Sequence, residues 1–290
     1  MILFSLINLP LSIKKYQTMA DRLESFFNHH QLSARMFFSG TMCNNYHFAE
    51  DIGGGFLHLI RQGKLSVHSS AHPSIFIEQP SLLLYPKHTK HQFIFDGDVD
   101  LTCAHIDLDG GIDNILVKDL PKIILIPLSN MPTMASTLAL LFDEAEQLNC
   151  GRQAAINRLF EYLLILLIRH IIDNNQASYG LLAGLGDMKL AKAITAMHND
   201  PSFNWSLDLL ADRAGMSRAR FAVHFRELVG TTPMSHLTKC RISLAQILIK
   251  KGKPIGLVAN EVGYSSSAVL TRIFKAHLGV SPKTWISLHR

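Results

Sequence analysis

The feature that most restricts what this chain can become is a repeat: FRELVGTTP at residues 225–233 returns as FKAHLGVSP at residues 274–282, an offset of 49. Phe225 answers to Phe274, Arg226 to Lys275, Gly230 to Gly279 and Pro233 to Pro282, and upstream Ser217 answers to Ser266. Coincidences at a single offset mean that one supersecondary unit is used twice. Each copy opens on a short amphipathic helix, SLDLLADRA and then IGLVANEV, followed by a small-residue turn at Gly215 or Gly263. Glycine admits the tight corner, and Ser217 or Ser266 can cap the next helix through its hydroxyl. That next helix has one apolar face, made by Phe221, Phe225 and Leu228 in the first copy and by Leu270, Ile273 and Phe274 in the second. The opposite face is left to water or a ligand. The unit reads as a helix-turn-helix.

Between the copies, PMSHLTKCRISLAQILIKKG reads as one long helix with Leu237, Ile242, Leu244, Ala245 and Leu248 as apolar positions. Such a helix holds the two units at a fixed spacing, and recognition helices roughly 34 Å apart can enter successive major-groove segments of one duplex. The charge agrees. From Asp187 onward there are 15 Lys plus Arg against 6 Asp plus Glu, a balance of +9, whereas the first 186 residues carry 13 against 17, a balance of −4. A basic half suits a polyanion, and double-stranded DNA is the partner it points to; a solvated basic surface is the plainer reading of the same charge.

The rest of the chain reads as a second domain. Between Gly55 and Leu128 lie short β-rich runs, FLHLI, KLSVHS, SIFIE, SLLLY, HQFIF, LTCAHIDL and IILIPL, set apart by Gly63, Pro73, Pro80, Pro86, Gly97 and Gly110. Many short strands at regular spacing predict a sandwich or small barrel. From Met134 the period becomes helical, through Leu138, Leu141 and Phe142 and then Ile156, Leu159, Leu163, Leu166 and Leu167, so an antiparallel pair joined near Cys150 and Gly151 is expected. Its second helix is apolar around much of its circumference, which predicts deep burial or a dimer contact. The stretch NNQASYGLLAGLG reads as an interdomain linker.

The fold class expected is α+β, with an N-terminal β-barrel carrying a helical hairpin and an all-α C-terminal domain of two helix-turn-helix units joined by a linker helix. Residues 1–18 read as an extension outside the fold, 19–173 as a sensor and dimerisation domain, 174–186 as the linker, and 187–290 as the DNA-binding domain, with its units near 206–228 and 255–277. Lys14 and Lys15 follow the apolar MILFSLINLPLSI run instead of preceding it, the wrong order for a signal peptide, and Met19 opens an amphipathic MADRLESFF segment. No membrane span is expected. Cys43, Cys103, Cys150 and Cys240 form no C-x-x-C pair and no short-spaced zinc pattern, so a reduced, cytoplasmic chain is expected.

Across residues 187–290 the chain resembles the AraC-type regulators, through GMSRARFAVHFRELVGTTPMSHL, Arg241 and Ala245, VANEVGYSS and RIFKAHLGVSPKTW. Upstream, DMKLAKAITAMHNDPSFNWSLDLLADRAGMSR is similar to the branch whose N-terminal domain is cupin-like, as are QGKLSVHS, LLLYPKHTKHQFIF and LTCAHIDL. The resemblance implies base-edge contacts from Ala219, Ala222 and Val223 in the first recognition helix and from Ser267, Ala268, Val269, Thr271 and Arg272 in the second. Arg218, Arg220, Arg226 and Lys275 flank them as phosphate contacts, or as solvated side chains. It also implies a homodimer, a small-molecule or oxidant effector, and RNA polymerase as a partner for an activator. No cofactor is implied.

The alternative is a metal-dependent cupin enzyme fused to a DNA-binding module. His58, His88, His91 and His105 are the residues to weigh, but His58 stands alone where a catalytic cupin has a close His pair, and His88 occupies the Gly slot of PKHTKH. The metal set is incomplete, and no metal is expected. Cys103 alternates with His105 on one face of a strand; with His58 and His91 it is the candidate for effector or redox sensing, and a buried inert thiol is its plainer reading.

Overall fold

The computed structural model describes residues 21–29, 31–48, 53–108, 117, 120–174 and 176–288. Residues 1–18, read above as an extension, lie outside them.

The N-terminal half is one antiparallel sheet of seven described strands: β1 Leu32–Met42, β2 Tyr46–Phe48, β3 Gly55–Ser69, β4 His72–Ile77, β5 Ser81–Tyr85, β6 His91–Leu108 and β7 Ile124–Pro127. The order is β1-β6-β3-β5-β7, with β2 added to β6 and β4 to β3. Two pairs of runs that the sequence separates are single strands. FLHLI and KLSVHS are both β3, and HQFIF and LTCAHIDL are both β6; Gly63 and Gly97, read as turn residues, lie inside strands. The pairing of β3 with β6 shifts register between Ile60 and Gln62 and again between Gln62 and Lys64. Bulges of this kind bend a strand without ending it, so one pair of long strands serves both ends of the sheet.

Alternating side chains then feed two cores. Phe48, Phe56, Leu65, Tyr85, Phe93, Val99 and Cys103 fill one face. Leu57, Leu59, Leu82, Leu84, Ala104 and Ile106 fill the other, against the helices. Those helices are α1 Glu24–His29, α2 Ala135–Glu146 and α3 Arg152–Asp173. Ile156, Phe160, Leu163, Leu164, Leu167, Ile168, Ile171 and Ile172 of α3 are all buried within the chain itself, which accounts for most of the apolar circumference noted above. Where β1 bulges between Met36 and Phe38, α3 answers the backbone: Met36 N–H donates to Asn157 Oδ1 at 3.0 Å, and Gln153 Nε2 donates to Met36 O at 3.1 Å.

The stretch read as a linker contains a buried helix, α4 Leu181–Gly186, rather than open chain. Leu181, Leu182 and Leu185 belong to the core that also holds Leu163 and Phe225. A Cβ on Gly184 would stand 2.6 Å from Ile194 and 2.8 Å from Val229. Gly, Asn and Gln mark this stretch as loop by composition, but its leucines meet apolar neighbours on both sides, and burial overrides that signal. The C-terminal half continues with α5 Met188–Asn199, α6 Leu207–Ala214, α7 Arg218–Val229, α8 Pro233–Lys250, α9 Ile255–Glu261, α10 Ser267–Leu278 and α11 Pro282–Leu288. No helix of the described residues is long and apolar enough to cross a membrane.

Gly63 has φ +97°, and a Cβ there would meet Asp98 O at 2.6 Å and Val99 Cα at 2.8 Å. Gly97, at φ +79°, faces open space. We expect Gly63→Ala to cost about 2–3 kcal/mol and Gly97→Ala about 1 kcal/mol in a denaturant titration. Equal losses would show that the strand crossing, with its steric block, does not matter.

Candidate nucleic-acid interface

The repeat is carried into three dimensions residue for residue: α7 spans 218–229 and α10 spans 267–278. Gly230 and Gly279 end these helices in the left-handed region, at φ +77° and +76°, and Pro233 and Pro282 begin the helices that follow. The turns also match, with Gly215 at φ +62° and Gly263 at φ +83°. The caps do not. Ser266 Oγ accepts from the Val269 amide at 3.3 Å, whereas Ser217 stands at the N-cap of α7 without a side-chain cap bond. Hydroxyl capping of the unit's second helix therefore operates in the second unit alone.

The two units share α8. Leu237 joins the core of the first with Leu210, Ala214, Phe221 and Phe225. Ile242, Ala245, Leu248 and Ile249 join the core of the second with Val258, Leu270, Phe274 and Trp285. Arg241 reaches back from α8, donating through Nε to Pro201 O at 2.7 Å and through Nη2 to Phe203 O at 3.0 Å. A helix buried on both sides cannot slide relative to either unit without opening a core.

With the apolar faces spent on these cores, the outer faces of α7 and α10 remain. Ala219 and Val223 are exposed and Ala222 is half-buried. In the second unit Ser267, Ala268 and Arg272 are exposed and Thr271 is half-buried, while Val269 packs partly against the core. Arg220, Arg226 and Lys275 are exposed. Arg218 is exposed too, but its Nη1 lies 3.1 Å from Asp208 Oδ2, so part of its charge is answered within the chain. An open groove of about 670 Å³ runs beside Ala219 and Val223, with Asp187 and His224 in its wall. There Asp187 caps α5, accepting from Lys189 N at 2.9 Å and Leu190 N at 2.8 Å, and faces His224 Nε2 at 2.9 Å. Partial burial opposes ionisation of Asp187, but these donors together hold its carboxyl below the usual range. The start of the domain is thereby fastened to the first recognition helix, a contact that sequence reasoning missed because its two halves are 37 residues apart.

A cupin family model matches residues 21–173, and a helix-turn-helix domain model matches residues 210–287. An uncharacterised helix-turn-helix-type transcriptional regulator of Haemophilus influenzae is 29% identical over 265 residues, covering 82% of this chain and 88% of its own. The transcriptional regulator AlkR of Acinetobacter baylyi is 31% identical over 185 residues, which is 62% of this chain and 60% of AlkR. Among solved structures, fatty-acid-bound ToxT of Vibrio cholerae is 14% identical, covers 88% of this chain and 94% of its own, and has a TM-score of 0.39.

This chain belongs to the AraC family of transcription regulators, with a cupin-type N-terminal domain.

The cupin half of this AraC-family regulator brings together three of the singled-out residues. His91 Nδ1 lies 2.7 Å from Thr89 O, so it carries the proton and leaves Nε2 as acceptor. His58 Nε2, at 3.0 Å, must then donate to His91, which leaves His58 Nδ1 to accept from the Cys103 thiol at 3.0 Å. Every group in this line is satisfied in its neutral form. Burial lowers His58 well below the ordinary histidine value, and the nearby His91 and His105 add to the shift. Burial also takes His91 down to about 4, against the opposing pull of the Thr89 carbonyl. The Cys103 thiol is pushed well up by burial, which suits a hydrogen-bond donor and not an oxidant-seeking thiolate. His58 meets its two partners with opposite edges of the ring, so the three make a line rather than a chelate. His88 and His105 pack their rings on Phe56 at centroid distances of 5.8 Å and 4.9 Å.

Two predictions follow from these geometries. Of the residues expected at base edges, Arg272 is the one whose side chain can grip guanine bidentately. Arg272→Ala should cost about 1–3 kcal/mol on the specific site and relax preference at one base pair. Lys275→Ala should weaken specific and random DNA alike and lower the salt slope by about one. Val223→Ala should have a small effect confined to a thymine. A uniform loss for Arg272→Ala across single-base operator variants would defeat the base-reading role.

The second concerns pH. Because the folded pKa of His91 lies below its unfolded value, acidification protonates the unfolded chain first, and stability falls as pH drops from about 6.5 toward 4. His91 alone should remove roughly 2 kcal/mol between pH 7 and pH 5. Thermal melts should therefore show a shallower acid decline for His91→Asn than for the parent chain. Parallel declines would overturn the assignment.

Proposed function

We propose that this AraC-family regulator binds its operator with α7 and α10 in successive major-groove segments of one duplex, using Ala219, Ala222, Val223, Ser267, Ala268, Thr271 and Arg272 at base edges. Arg218, Arg226 and Lys275 hold the flanking phosphates, and Val269 serves the core more than the groove. The observation that carries this reading is the pair of matching units on one doubly buried α8, with both outer faces exposed. A rigid spacer lets the second helix find its groove once the first is seated, at small entropic cost.

The N-terminal domain is read as the regulatory half. It binds a small-molecule effector, and α4 conveys the bound state because its leucines sit in the core shared by both halves. Arg22 supports that route, donating to Leu185 O at 2.8 Å and pairing with Asp173 at 2.9 Å. An oxidant acting on Cys103 fits less well, since that thiol is buried and donates to His58. The regulator is read as cytoplasmic and non-enzymatic, in keeping with the transcription regulators it is similar to. A second copy would dock on α2 and α3, where Leu140 and Tyr162 are 59% and 47% exposed. RNA polymerase is the further partner of an activator.

Sequencing DNA retained by the full chain from a random pool tests the central claim. Retained fragments should share two short motifs about one helical turn, roughly 10 base pairs, apart. Arg272→Ala should blur one motif only. A pool with no shared motif, or one motif without a partner, would overturn the two-groove reading. For the dimer, Tyr162→Arg should shift the sedimenting species from two chains to one. A parent chain that is monomeric at micromolar concentration would remove that interface.

A further inference from the structure

Beneath the first recognition helix, three metal-ligand side chains meet in the core. His198 lies in the last turn of α5, while His236 and Cys240 stand one turn apart on α8 and so share a face. They are 8%, 1% and 7% exposed. The two Nε2 atoms are 3.0 Å apart, and the rings meet end to end, their centroids 5.3 Å apart and their planes within 9° of each other. One donor atom from each of the three residues lies within 4.8 Å of the others. We propose that His198, His236 and Cys240 form a binding site for a d-block cation of the zinc type, clamping α5 to α8.

The donor chemistry selects that class of ion. Two imidazoles and a thiol suit Zn²⁺, Co²⁺ or Ni²⁺, whereas Mg²⁺ and Ca²⁺ require oxygen ligands. The spacing suits it as well. A tetrahedral ion with metal–nitrogen bonds of about 2.0 Å sets its nitrogens about 3.3 Å apart, and a nitrogen and a sulfur about 3.6 Å apart. The nitrogens need to part by a few tenths of an ångström, each ring to swing by about 35° so that its lone pair turns to the ion, and the thiol to move by about 1 Å. His236 and Cys240 are on one rigid helix, so their backbones keep a fixed spacing while the side chains adjust, and His198 closes the site from α5. Three protein ligands leave the fourth position to a ligand from solution.

Binding is a proton exchange without oxidation. The ion takes the Cys240 sulfur as thiolate, the S–H bond breaks, one proton leaves to solvent, and both rings bind as neutral imidazoles. Burial holds the free thiol up at about 12, while the charges of Lys239 and Arg241 favour the thiolate. The ion would join the helix that precedes the first unit to the helix that carries both.

Titration of the chelator-treated full chain with Co²⁺ tests this. We expect one ion per chain, a sulfur-to-cobalt charge-transfer band in the near ultraviolet, and a higher melting temperature. Cys240→Ser should abolish the band and weaken binding by at least about 100-fold, since even outer-shell changes cost 10–100-fold. His198→Asn, on the other helix, should weaken binding comparably while the chelator-treated melting temperature stays near that of the parent. Cys103→Ser, in the N-terminal half, should leave the band intact. No Co²⁺ uptake by the parent chain would overturn the site and leave a hydrogen-bonded histidine pair. A band that survives Cys240→Ser, or that is lost in Cys103→Ser, would overturn it by placing the ion elsewhere.

Discussion

The burial of α4 is the constraint on which the arrangement of the two halves depends. Leu181, Leu182 and Leu185 present apolar surface in a segment too short to bury it alone, so they complete a core begun by α3 on one side and by α5 and α7 on the other. At about 25 cal/mol per Å² of apolar area removed from water, burying three leucines offsets much of the conformational entropy lost in ordering so short a helix. The backbone is held too, since Gly180 N–H donates to Leu228 O at 2.9 Å. Moving the halves apart would return those leucines to water. The N-terminal half is thus joined to the first recognition helix by packed side chains rather than by a slack tether.

The same logic fixes the two recognition helices relative to each other. Their spacing is not set by base or phosphate contacts, but by α8, whose two sides complete two separate cores. Arg241 adds a hydrogen-bonded strut to the loop at 201–203 and stacks over Tyr264, 5.3 Å from the ring centroid. Arg241 is thus structural: it spends donors on backbone carbonyls of the fold.

Burial also sorts the titratable side chains by what they can do. In the N-terminal half, the line from Cys103 through His58 and His91 to Thr89 uses each neutral group once as donor or acceptor, leaving little drive toward a thiolate. In the C-terminal half, two imidazole nitrogens face each other with a thiol nearby on the same helix face. Similar residue types thus support different chemistry, because one set is strung in a line and the other converges.

The periodicity of 49 residues, with its paired glycines, serines and prolines, was enough by itself to determine two helix-turn-helix units on a shared helix, and charge placed nucleic acid opposite them. These are local properties: a glycine at positive φ, a proline at a helix start and an apolar stripe act within a few residues. Which runs join into one strand was not local. Gly63 and Gly97 look like turn residues, and only the pairing of β3 with β6 turns them into bends within strands. Ser217 and Ser266 are equivalent in sequence, yet only Ser266 caps with its hydroxyl. The role of 181–186, the Asp187–His224 contact and the meeting of His198 with His236 and Cys240 were likewise decided by the tertiary structure. In each case the partner lies on another element of the fold, and contacts of that kind leave no periodic trace in the chain.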